Sequence, residues 1–246
     1  GIKQRYWVEP GTNTSDLAKQ ACEKALENAK VSKEEIDLIV FATLSGDHEF
    51  PGTGCFLQAK LGIPGVPTID IKQQCTGFVY GLSIADQYIR TGMYKKVLVV
   101  GAEVHSTGLD RSPAGRDIAV LFGDGAGAVV VGAVPVQDLK KESCVLSTHL
   151  HTDGRFASEL WVEAPGSGFY PDRISNELIA ERKQLPYMNG RNVFAHASKR
   201  MPSAVQEALE ANQVTPDDID LYVFHQANQR INEMVANCLL YTSDAA

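Results

Sequence analysis

The 246-residue chain is 44% hydrophobic, ample for a sizeable core in one large domain or two smaller ones. A net charge of −7 and a pI near 5.4 argue against a nucleic-acid binder, which would carry a basic face. No apolar run approaches the roughly 18 residues of a membrane span. Five cysteines, at 22, 55, 75, 144 and 238, form no CxxC pair and are odd in number, so neither a disulfide framework nor a zinc site is suggested and a reducing cytoplasm fits best.

In chain order, Thr14 or Ser15 can cap a helix with Leu17, Ala21, Ala25 and Ala29 at helical spacing, ending near Lys30. Ile36 to Phe41 is a short apolar run of the kind buried within a sheet. Phe50-Pro51-Gly52 leads into a helix to about Leu61, and a second strand spans Val66 to Ile71. Then comes Gln74-Cys75-Thr76-Gly77-Phe78, after which Phe78, Leu82, Ala85 and Ile89 mark one helix face up to Thr91-Gly92. Cys75 therefore stands at a helix N-terminus, where unpaired N–H groups and the macrodipole are expected to lower a thiol pKa. A small apolar filler is the other reading of that cysteine. Gly77 and Gly81 leave room for a close neighbour, backbone or substrate.

Lys96 to Gly101 is the next buried strand. Alternating strands and helices predict a layered α/β protein with a largely parallel sheet. In Ile118 to Val130, Gly123, Gly125 and Gly127 are expected to join two apolar β runs; a dinucleotide or Walker site is rejected, because no helix and no lysine follow. A strand is expected near Cys144 to Leu150, followed by an irregular stretch from Thr152 to Arg191. His149 and His151 alternate along that strand without an obvious third metal ligand, which favours a structural or surface role. A helix carrying Phe194, Ala197, Met201, Ala204 and Ala208 follows, with a kink expected at Pro202.

Lys24 to Phe41 (KALENAKVSKEEIDLIVF) and Glu207 to Phe224 (EALEANQVTPDDIDLYVF) share nine of eighteen residues. An offset of 183 residues is too long for a solenoid and points to two related, pseudo-symmetric halves, each opening with helix, turn and buried strand. Cys75 lies 34 residues after Phe41, so its counterpart would fall near 258, past Ala246; the second half is expected to be incomplete. The division expected is 1–135 and 136–237. Residues 238–246 resemble the translated read-through of a sequencing adapter and are expected to be non-native. Of six histidines, His225 stands out as a partner for the thiol, because it directly follows the second repeat's strand; a histidine packed within a loop is the alternative.

Three separated motifs, Gln74-Cys75-Thr76-Gly77-Phe78, Gly115-Arg116-Asp117 with Phe122-Gly123-Asp124-Gly125-Ala126-Gly127-Ala128, and His225-Gln226-Ala227-Asn228, resemble those of the β-ketoacyl-acyl carrier protein synthase III family of the thiolase superfamily. The resemblance covers residues 1 to 237. It implies a thiolase-like α/β fold of two halves and a decarboxylative Claisen condensation of an acyl-CoA primer with malonyl-acyl carrier protein, the opening step of fatty acid synthesis. Cys75 would hold the acyl group, and its backbone N–H would supply one oxyanion donor. His225 would stabilise the enolate formed as carbon dioxide leaves. The family's catalytic asparagine and second oxyanion donor have no counterpart within the sequence, which implies an inactive fragment.

Phe50 matches a residue that reaches the partner subunit's acyl pocket, implying a homodimer. Arg116 matches a coenzyme A contact, and Gln226, Asn228 and Arg230 fall in a carrier-protein docking segment. No metal or resident cofactor is implied; the coenzyme A thioester is the substrate. Neither nucleic acid nor membrane is expected as a partner. Leu44, in the loop where hydroxymethylglutaryl-type synthases carry a glutamate, disfavours that reaction. Long-chain or secondary-metabolite condensing enzymes, and a non-catalytic homologue, remain as alternatives.

Overall fold

The computed structural model describes residues 2–137 and 142–243. Its packing divides the chain into two compact units, Gly1–Thr107 with Phe122–Thr148, and Gly108–Leu121 with His149–Ala246.

The first unit is a three-layer α/β structure. Helix α1 (Thr14–Ala29) begins after an Asn13 N-cap, one residue before the expected cap, and ends at Lys30 in the left-handed conformation. Strand β1 (Leu38–Ala42) is buried throughout. Helix α2 (Thr53–Leu61), strand β2 (Thr68–Ile71), helix α3 (Gly77–Arg90) and strand β3 (Lys96–Val104) follow. The sheet order is β2-β1-β3-β4, with β1 parallel to both β2 and β3 and β4 (Asp124–Gly132) antiparallel to β3.

Side chains alternate along the strands to fill two cores. Ile39, Phe41, Leu98 and Val100 pack with Ala18, Cys22, Leu26, Leu57 and Leu61 of α1 and α2. Leu38, Val40, Val97 and Val99 pack with Ala85, Phe78, Leu82 and Ile89 of α3. The continuous apolar runs of β1 and β3 are thus explained by burial on both faces.

In the glycine-rich stretch the sequence expectation fails. Where a β run is expected from Ile118, residues Arg116–Ala119 form a short helix, α4, and Gly125 and Gly127 lie inside β4 instead of in a connection between strands. Apolar runs of four or five residues carry no period that separates helix from strand.

The second unit holds a hairpin of β5 (Leu160–Val162) and β6 (Pro186–Met188), helix α5 (Asn176–Ala180), and two long helices, α6 (Gly190–Asn212) and α7 (Gln229–Ser243). The stretch expected to be irregular therefore contains short regular elements. The strand expected over 144–150 is absent among the described residues. Assignment of α6 runs unbroken through Pro202. Phe194, Ala197, Met201 and Val205 of α6 pack against Ile231, Val235 and Leu239 of α7. Leu239 belongs to the tail segment 238–246, of which 244–246 lie outside the described residues.

The repeat is structural as far as its turn. Lys30 (φ 53°) and Gln213 (φ 55°) both cap their helices in the left-handed region. Val31 N–H donates to Leu26 O and Val214 N–H to Leu209 O, each at 3.1 Å. Capping boxes Ser32/Glu35 and Thr215/Asp218 then open matching 3₁₀ turns. Beyond the turn the two diverge: Leu38–Ala42 is a buried strand, whereas residues 220–224 form none, and Leu221 and Val223 are 75% and 84% exposed. A strand requires hydrogen-bonded neighbours. β1 has two, and no strand pairs with 219–224 among the described residues.

Candidate active site

The parallel strands β2 and β1 end in register, Ile71 beside Ala42, while β3 runs on from Gly101 to Val104, and the carboxyl edge of such a sheet is where α/β folds place ligands. Cys75 lies at this edge, in a 3₁₀ turn (Gln74–Thr76) that runs directly into α3. Gln74, just before it, has φ 38°, a left-handed conformation that costs a non-glycine residue on the order of 1–2 kcal/mol. Such a turn redirects the chain sharply and leaves the thiol-bearing residue exposed.

Gly77 sets the start of α3 against β1: a Cβ there would lie 2.9 Å from the Ala42 Cβ. Gly81 likewise admits the Val99 side chain. The two glycines therefore serve helix-on-sheet packing.

The thiol does not behave as its position at a helix start suggested. Burial, and secondarily the Glu103 carboxylate, push the Cys75 thiol above its ordinary value, with its own backbone N–H acting in the opposite direction. The residue keeps accessible surface, yet burial is the first cause of the rise and only its own backbone N–H acts against it. Glu103 was invisible as a site residue in the sequence, where its one mark is a lone acid near the end of an apolar strand.

The other cysteines are distinguishable from it. Cys22 is fully buried between α1 and the sheet, and burial pushes it to about 12, which makes it inert. Cys55 and Cys238 are exposed and Cys144 is half-buried. Phe50, in the same unit as Cys75, is 80% exposed. It precedes α2, whose start is held by Asp70 through the Gly54 N–H (2.9 Å).

The second unit carries the remaining sequence-derived candidates. His225 lies just before α7, where burial pulls its pKa down although the residue retains surface, which favours the neutral imidazole. Gln226 folds back to donate to Phe224 O (3.0 Å), and Asn228 Oδ1 accepts from Arg230 N–H (2.9 Å), organising the approach to α7. The Arg116 side chain is 80% exposed beside Asp117. His149 and His151 share one carboxylate, Nδ1 and Nε2 lying 3.1 and 2.6 Å from Glu207. No group of three such side chains able to hold a metal ion occurs among the described residues.

An α/β fold that brings a cysteine to the carboxyl edge of its parallel strands, at the start of a helix, has the form of an enzyme that works through a thiol. The comparisons narrow it. The family profile of 3-oxoacyl-acyl-carrier-protein synthase III matches residues 69–154, and that of its C-terminal region matches 209–245. The chain is 42% identical over 244 residues to a β-ketoacyl-acyl-carrier-protein synthase III of Caldanaerobacter subterraneus, covering 99% of the chain and 71% of that protein. It is 43% identical over 239 residues to one from Rhodospirillum centenum, covering 97% and 70%.

Among solved structures, the synthase III of Aquifex aeolicus (TM-score 0.82, 38% identity, 97% of this chain and 69% of that one) is similar. So is that of Thermus thermophilus (0.84, 38%, 97% and 70%). The priming β-ketosynthase of the R1128 polyketide pathway also aligns (0.80, 30%, 97% and 67%). The chain belongs to the β-ketoacyl-acyl-carrier-protein synthase III family, whose members are acyltransferase-type condensing enzymes.

Proposed function

We propose that Cys75 takes an acyl group from an acyl-CoA primer and passes it to malonyl-acyl carrier protein in a decarboxylative Claisen condensation, initiating fatty acid synthesis. In the first step the sulfur attacks the thioester carbonyl, coenzyme A leaves, and the thiol proton ends on the departing sulfur. In the second, loss of carbon dioxide from the malonyl group leaves an enolate whose carbon attacks the Cys75 thioester, and collapse releases the cysteine and the 3-oxoacyl carrier. The observation that carries the reading is the placement of Cys75 on a strained turn at the carboxyl edge of the sheet, in a chain 42% identical to a synthase III.

His225 would act as a neutral imidazole, donating a hydrogen bond to the thioester oxygen as negative charge builds there. Lost hydration at its ring favours that form. Arg116, exposed and cationic, would meet the coenzyme A phosphates. Gln226, Asn228 and Arg230 would form the carrier-protein surface, and the coenzyme A thioester enters as substrate. Phe50, too large and apolar for its 80% exposure, would insert into a second copy, giving a homodimer. The divisions 1–135 and 136–237 would be two related halves, each contributing one catalytic group, and five free thiols suit a cytoplasmic setting. The similarity to a polyketide priming synthase favours a second reading, the same chemistry in a secondary-metabolite pathway.

Incubation with a panel of acyl-CoA primers followed by peptide mass spectrometry tests the assignment. Label is expected on Cys75 and lost in Cys75→Ser, with the far-ultraviolet circular dichroism unchanged. Label on Cys55, Cys144 or Cys238 with Cys75 unmodified would overturn it.

A further inference from the structure

The carboxyl edge of the sheet holds a carboxylate that this scheme does not use. Glu103, at the end of β3, receives four hydrogen bonds from three consecutive residues that follow β1. Oε1 accepts from Leu44 N–H (2.9 Å), and Oε2 accepts from Ser45 N–H (3.0 Å), the Ser45 hydroxyl (2.5 Å) and the Thr43 hydroxyl (3.3 Å). The Ser45 hydroxyl oxygen accepts in turn from Val104 N–H (2.8 Å), closing the clamp on both strands. Segment 43–45 is also tied to the nucleophile's surroundings. Thr43 N–H donates to Ile71 O (3.1 Å) at the end of β2, and the preceding Ala42 packs against Gly77 at the start of α3.

We propose that Glu103 is a positioning residue of the Cys75 site: its carboxylate locks residues 43–45, next to the Ala42 that packs on the start of α3, and presents a fixed negative charge to the thiol. The proposal deepens the reading above and rests on Cys75 being the nucleophile. A fixed anion disfavours a thiolate beside it while leaving neutral sulfur untouched, so it favours the thiol and the thioester over the free thiolate. The resting cysteine is thereby guarded against electrophiles other than a bound thioester, and the acyl-enzyme is favoured once formed. The same direction acts on the Cys75 thiol, where Glu103 stands second to burial. The other titratable groups around Glu103 are His105, with Nε2 at 3.6 Å, Asp124 on β4, engaged by Ser106 and Val8 N–H, and Asp47, engaged by Ser15.

The test is the pH profile of Cys75 alkylation by iodoacetamide, quantified on the Cys75 peptide so that Cys55 and Cys238 do not contribute. Glu103→Gln keeps the shape and removes the charge. It should raise the Cys75 rate at about pH 7.5 roughly two- to fivefold, the size of one modest charge interaction, and displace the profile to lower pH. Glu103→Asp, which restores the charge, should return the profile towards that of the unaltered protein. A Glu103→Gln profile superimposed on the parent's, or equal displacement by Gln and Asp, would overturn the proposal. If Glu103→Gln fails to fold, raising the ionic strength of the unaltered protein from about 0.05 to about 0.5 M should displace the profile in the same direction, and no displacement overturns it. Failure of the nucleophile reading would show separately, as acyl label on another cysteine, while Cys75 alkylation still reported the charge.

Discussion

At the scale of single residues, the two groups assigned to the chemistry are both held in their neutral forms by lost hydration: a thiol pushed up and an imidazole pulled down. For His225 the consequence can be signed. A folded-state pKa below the unfolded value of about 6.5 means that the unfolded chain binds the extra proton between the two, so stability rises with pH through that window and is fully present above about 6.5. His225→Gln should flatten part of the rise in urea midpoint between about pH 5 and pH 7. Parallel pH dependences for the variant and the parent would remove the desolvation argument. The neutral ring still carries one N–H, the donor that the proposed role at an enolate would use.

At the scale of elements, the repeated helix-turn unit is the most self-contained object in the chain. Leu26 and Leu209 occupy equivalent places in it, 8% and 5% exposed, with carbonyls that accept from Val31 and Val214 beyond the left-handed caps. Their core contacts differ: Leu26 packs in the α1–α2 core of the first unit, while Leu209 is the buried residue of α6 in the second. Leu26→Ala and Leu209→Ala should each destabilise the unit that contains it by about 2–5 kcal/mol in urea unfolding, the usual range for a buried leucine. A cost below about 1 kcal/mol at either position would show that the local likeness does not extend to packing. Strand formation after the turn follows a different rule, since backbone groups must find partners and the turn itself supplies none.

At the scale of the whole molecule, association is the open consequence of the Phe50 assignment. Phe50→Glu should shift sedimentation from dimer to monomer while leaving the circular dichroism unchanged, since an 80% exposed side chain contributes little to its own subunit's core. Dimers of undiminished stability would withdraw Phe50 from the interface. No helix among the described residues is long and apolar enough to cross a membrane.

The sequence by itself determined what depends on local pattern. Helical spacing fixed α1, α2, α3 and α6 to within a few residues. Unbroken apolar runs marked β1 and β3, and a cysteine between a strand and a helix marked the candidate nucleophile. The repeat was legible because a left-handed cap and a capping box are encoded in neighbouring residues. Only the tertiary structure decided what depends on residues far apart. Leu121 and Phe122 follow a short helix instead of lying in a strand, and the apolar run 219–224 stays unpaired although its twin, Ile36–Phe41, leads into a paired strand, because pairing is a property of neighbours and not of composition. The direction in which the Cys75 thiol is displaced depends on distant residues for the same reason: a helix start is visible in the sequence, whereas burial of the thiol and the carboxylate of Glu103, 28 positions further on, come to bear only once β1, β2 and β3 lie side by side.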